Sequence, residues 1–277
     1  MKKFVLALSV AFCLLQGAQA QLKTPQPSPS AHIKQEFALS SVEVSYSRPA
    51  VRNRSIFGDL VPYGKVWRTG ANGATTITFG EDVEFGGKKV AAGKYGLLTI
   101  PGASEWVVIL TKQLDVTSPA AYKQDQDIAR VTVRPETLPF SLESFMIGFD
   151  NIQATSMNMD IVWDKTVVTV PIKANIDGKI MAQISELEKG DKFPYFPAAM
   201  YYMENGKDLN KALGWLTKAT EQNPSAFWVH HQRANCLAKL GKKADAIAAA
   251  NKSIQLAKEA KNDDYVALNE KLLATLK

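Results

Sequence analysis

Residues 166–187 read TVVTVPIKANIDGKIMAQISEL, and the hydrophobic period changes inside them. Val168, Val170 and Ile172 alternate with other residues, the period of a strand, whereas Ile176, Ile180, Ile184 and Leu187 return every three or four, the period of a helix. The chain is therefore segregated, strands first and helices second. The predicted fold class is α+β, with an antiparallel β-sandwich or jelly-roll-like domain over 37–174 and a helical region over 175–277.

Towards the N-terminus the period of two persists. Val42, Val44 and Tyr46 alternate with polar residues, and Gly86-Gly87 joins Val83-Glu84-Phe85 to Lys88-Lys89-Val90. Paired glycines supply the positive φ that a two-residue hairpin turn needs. Pro101-Gly102-Ala103-Ser104 marks a second hairpin, and about nine short strands are expected in all, with Ser156–Trp163 and Thr166–Ile172 as separate ones. Towards the C-terminus two helical hairpins turn at Asn205-Gly206 and Leu240-Gly241. Their second helices repeat with an offset of 34: Ala212 with Ala246, Leu213 with Ile247, Leu216 with Ala250, Ala219 with Ser253. That spacing is tetratricopeptide-like, with departures at Met200 and Lys258. Two repeats bury too little alone, so the helices are expected to pack on the sandwich or on another chain.

The first twenty residues read as a secretory signal peptide: Lys2 and Lys3, an apolar run from Phe4 to Leu15, and Ala18-Gln19-Ala20 before the cut. Cys13 lies inside the apolar run, which argues against a lipidated cysteine. An exported protein is expected, periplasmic or secreted, beginning at Gln21, with a prolines-rich extended tether over 21–36. Cleavage removes two lysines and lowers the formal charge from +6 to +4, and Cys236 is left as the one cysteine, without an internal disulfide. With 46% hydrophobic and 22% charged residues the chain is neither disordered nor a membrane bundle. No membrane span is expected beyond the leader, and the small charge of an exported chain argues against nucleic acid.

Chemical signatures are sparse. Five residues separate Gly87 from Gly93 where a phosphate loop has four, and no nucleophile elbow occurs. His230 and His231 are adjacent and cannot clamp one ion, so no metal or cofactor is expected. What stands out is Ser47 to Asn72, too long for an idle loop, with Arg48, Arg52, Arg54 and Arg68 among Tyr63 and Trp67. Guanidinium forks recognise carboxylates, sulfates and phosphates, and aromatic faces stack on sugars. The candidate ligand residues are Arg48, Arg54, Tyr63, Arg68 and Asn72. The plainer alternative is that the arginines tie the loop to carbonyls and core carboxylates. On extended backbone Trp67 would turn inward and Arg68 outward, where Arg48 and Arg54 could join it.

The motifs Tyr46-Ser47-Arg48-Pro49, Arg54-Ser55-Ile56-Phe57-Gly58 and Val61-Pro62-Tyr63-Gly64-Lys65-Val66-Trp67-Arg68-Thr69-Gly70-Ala71-Asn72 resemble the core of the DUF2911 family, and Ala92 to Leu97 with Ile100-Pro101-Gly102 continues the similarity over about 30–175. The resemblance implies an exported protein of Bacteroidetes-type bacteria with no established activity, and the helical tail is similar to that of longer members. Asn53 departs from the family pattern, which has glycine before the arginine. Two functions are expected to compete. One is an exported, non-catalytic binding or scaffold protein whose sandwich takes a glycan or anionic small molecule and whose helices contact a protein. The other is an envelope or polysaccharide hydrolase with its site near Tyr63, Arg68 and Asn72.

Overall fold

The structure is a computed structural model that describes residues 24–276. The leader expected over 1–20 lies outside the described residues. Antiparallel strands make up the N-terminal part and six helices the C-terminal part, and the described chain divides into two units after Ile176. No described helix is long and apolar enough to cross a membrane.

In the first unit, β1 (Ser30–Phe37), β2 (Ser40–Ser47), β3 (Thr76–Phe79), β6 (Gly93–Ile100), β7 (Trp106–Thr111) and β8 (Asp127–Val133) form a six-stranded sheet in that order. A four-stranded sheet runs β5 (Lys88–Val90), β4 (Val83–Phe85), β10 (Ser156–Ala174), β9 (Glu136–Asp150). Alternation dictates the burial: Val42, Val44 and Tyr46 of β2 are buried, as are Phe145 and Ile147 of β9. Side chains of the two sheets meet. The Tyr46 ring stands edge-on to Phe145 at 5.7 Å, Phe79 of β3 meets Phe85 of β4, and the Tyr46 hydroxyl donates to the Ile147 carbonyl at 3.2 Å. Both expected hairpins form, β4–β5 around Gly86-Gly87 and β6–β7 across residues 101–105.

Two expectations need correction. Residues 30–36 of the expected tether are strand, paired with β2 from Ser30 opposite Ser47. Ser156–Trp163 and Thr166–Ile172 are one continuous strand, because Asp164 adopts a left-handed φ of 51° and absorbs register shifts on either side. A bulge of this kind bends a strand without ending it.

The second unit comprises α1 (Asp177–Leu187), α2 (Tyr195–Glu204), α3 (Leu209–Gln222), α4 (Phe227–Lys239), α5 (Lys243–Glu259) and α6 (Asp263–Thr275). Gly206 and Gly241 carry positive φ at the hairpin turns, as residues that close a helix do. Ala212 of α3 and Ala246 of α5, 34 residues apart, are both fully buried. This unit has its own core. Ile184 of α1 joins Tyr202, Trp215 and Leu216, and Leu272 and Leu273 of α6 pack against Ala246 and Ala250. The flanking helices thus cover the two ends that a pair of hairpins leaves bare. Cys236 is buried in this core, and burial pushes its thiol pKa up.

Candidate functional site

The segment from Pro49 to Ala71 leaves the sheets and walls a cavity of about 500 Å³. Its geometry depends on unusual backbone. Arg52 and Asn53 sit in succession at φ 50° and 57°, a left-handed pair that glycine or asparagine tolerates best. Asparagine at 53 therefore serves where the family resemblance implied glycine, and the tight turn is kept. Further on, Thr69 at φ 56° is a β-branched residue in the left-handed region. Its hydroxyl lies 3.1 Å from that of Thr99, and its carbonyl accepts from the Thr75 hydroxyl at 2.7 Å, so the conformation is held from both sides. Gly70, at φ 150°, passes so close to β2 that a Cβ would stand 2.9 Å from the Ser47 carbonyl oxygen. Trp67 bridges to Thr99 of β6 through two backbone hydrogen bonds of 2.7 and 2.9 Å.

Beneath the cavity lies an aromatic cluster. Trp67 stacks on Trp163 at 5.9 Å with rings 16° apart, and Phe57, Trp106 and Phe145 meet these rings edge-on. Trp67 and Trp163 both reach the cavity, so Trp67 is at once core and wall. Arg52, Arg54, Lys65 and Arg68 supply charge, and no Asp or Glu lies among the lining residues. The arginines are anchored by carbonyls. Arg54 donates through Nε to Val51 at 3.1 Å and through Nη2 to Ala50 at 2.6 Å, Arg52 Nη2 donates to Pro27 at 3.0 Å, and Arg68 Nη1 donates to Thr117. Arg68 Nε is buried and has no partner. Among the described residues no ion pair joins any of these four cations to a carboxylate. The loop carrying Thr117 and Pro119 is pinned by Tyr122, whose hydroxyl donates to Asp127 at 2.5 Å while Arg130 donates to both. Burial, then the bond to Asp127, pushes the Tyr122 pKa up to about 12.

The expected ligand residues separate. Arg54 and Arg68 line the cavity. Arg48 does not: its Nε donates to the Phe145 carbonyl at 2.9 Å, fastening β2 to β9. Tyr63 lies with its ring over Gly58, which has φ 94° and no room for a side chain. Asn72 donates to the Ser28 carbonyl at 2.9 Å and faces a second recess beside His32 and Ser45. Tyr63, Arg68 and Asn72 therefore do not line one recess. Arg52 and Lys65 also line the cavity; both stand in the stretch over 47–72, but neither is among the expected ligand residues. Pro27, Ser28 and Pro119 also line the cavity, and no local pattern marks them. Among the described residues no cluster of three or more His, Cys, Asp or Glu could hold a metal ion.

Comparison with curated proteins and with solved structures found no match. Residues 28–172, just over half of the 277, match the profile of a family described as "Protein of unknown function (DUF2911)", and the chain belongs to that family.

Proposed function

We propose that this is an exported, non-catalytic binding protein whose N-terminal unit, a β-sandwich, holds an anionic small molecule in the cavity of Arg52, Arg54, Lys65 and Arg68. The helical unit, a tetratricopeptide-like pair of hairpins with a helix at each end, is the part offered to a protein partner. The observation that carries the reading is four cationic side chains around one cavity with no carboxylate among its lining residues. A carbonyl satisfies a guanidinium hydrogen bond but does not cancel its charge, and like charges held together raise the free energy until an anion joins them. Among the described lining residues Ser28 carries the one hydroxyl, and no histidine or carboxylate stands beside it to activate it.

The test is thermal unfolding in sulfate against chloride at equal ionic strength, for the parent and for Arg68→Gln. An anion at ten times its Kd adds about 1.4 kcal/mol to the parent. In Arg68→Gln that sulfate-specific gain should vanish, while stability without sulfate changes by about 1 kcal/mol or less, since no carboxylate loses a partner. Equal sulfate effects in both proteins would leave only general salt stabilisation and end the proposal.

A further inference from the structure

Resting on that reading, we infer the class of the anion: an amphiphilic organic acid, a carboxylate on an apolar chain or ring, rather than an acidic sugar. The wall decides it. A sugar presents many hydroxyls, each needing an acceptor as well as a donor, and such sites are supplied by carboxylates and amides. The cavity has no Asp, Glu, Asn or Gln among its lining residues, and arginine and lysine only donate. Three wall carbonyls are already occupied, those of Pro27 and Ala50 by Arg52 and Arg54, and that of Gly70 by the Trp67 indole at 3.0 Å. Sugar hydroxyls entering here would lose water and find few acceptors.

The rest of the wall suits an apolar body. Leu60 is 43% exposed at the cavity, and Val61, Val66, Trp67 and Trp163 continue the apolar surface. A volume near 500 Å³ is that of a small-molecule site. The head has somewhere to go: Lys65 has no partner among the described residues, and Arg68, fixed through Nη1, leaves Nη2 unpaired.

The experiment is calorimetric titration of the purified protein with hexanoate, octanoate and decanoate below their micelle concentrations, with glucuronate, sulfate and decanol alongside. Affinity should rise by up to about fourfold per methylene. Decanol, lacking the charge, should bind about tenfold or more weaker than decanoate, and Arg68→Gln should weaken decanoate by a similar factor. Lys65→Gln, at an exposed position, serves if Arg68→Gln does not fold. If glucuronate matches decanoate, or affinity ignores chain length while sulfate still binds, the ligand class is wrong and the anion site stands. If decanoate binds equally to the parent and both variants, the binding is adventitious and the inference fails. If neither sulfate nor any carboxylate binds, the anion site itself falls.

Discussion

Cations are treated differently in the helical unit and around the cavity of the first unit. In the helical unit Lys207 reaches Asp177 at 2.9 Å, Lys211 reaches Glu188 at 3.0 Å, and Lys189 reaches Glu186 at 2.6 Å. Lys211 also lies over the Trp215 ring at 4.8 Å. There, cations meet carboxylates: Lys207 and Lys211 tie later residues back to the first helix and its end, and Lys189 pairs locally at that end. Around the cavity the guanidiniums reach only carbonyls, and Lys65 reaches nothing among the described residues. The chain does not lack carboxylates, with 27 Asp and Glu against 33 Lys and Arg. The cavity's unmatched charge is thus local to the cavity rather than a by-product of composition.

The contrast can be broken at its foundations first. Trp163, 2% exposed, carries the cavity floor, and Trp163→Ala should cost about 3–5 kcal/mol, read from the urea midpoint of the first unit, with the sulfate response lost as well. A retained sulfate response would detach the cationic rim from its aromatic floor. Next is the close packing of the helices. Ala246→Leu should cost roughly 1–3 kcal/mol by overpacking, and an unchanged denaturation midpoint would make the 34-residue correspondence with Ala212 a coincidence.

A paired comparison of lysines sharpens the point. Lys211→Gln removes an ion pair and a ring contact and should cost roughly 0.5–1 kcal/mol. Lys65→Gln removes only repulsion and should leave the melting temperature unchanged or raise it at low salt. Losses of the same sign and size would show that the two environments do not differ. The smallest effect concerns His230, whose pKa burial depresses below 6.5, with Lys252 and Arg233 adding to the fall. As pH drops through 6.5 the unfolded chain takes up the proton first, so this histidine's contribution, full above 6.5, is lost as the pH falls towards the folded value. His230→Gln should flatten the stability profile of the helical unit on the acid side of 6.5, and an unchanged slope would assign that acid sensitivity elsewhere.

The sequence made the segregated fold readable because periods of two and of 3.6 are local, and the turns at Gly86-Gly87, Gly206 and Gly241 carried their own backbone signal. It hid the continuity of β10, since a bend at Asp164 breaks alternation as an end would. The site was half legible. Arg54 and Arg68 stood out by type, but whether Arg48 or Arg52 faces the cavity depends on how the chain turns. Of the left-handed steps at Arg52, Asn53 and Thr69, only Asn53 is a residue type that signals one. Trp67 and Arg68 did not divide cleanly between inside and outside: both line the cavity, and Arg68 Nε is buried. Pro27 and Pro119 arrive from distant parts of the chain, which no spacing reveals.

Four of the cavity's wall residues, Pro27, Pro49, Pro62 and Pro119, are prolines. Each has a fixed φ and no N–H. At these four positions no N–H can extend a backbone ladder into an arriving peptide, which disfavours strand addition there. The fixed φ at these four positions limits how far they move as a visitor enters. Capture then needs little rearrangement of the wall, and its speed is governed by encounter, hastened by the surplus positive potential and slowed as salt screens it.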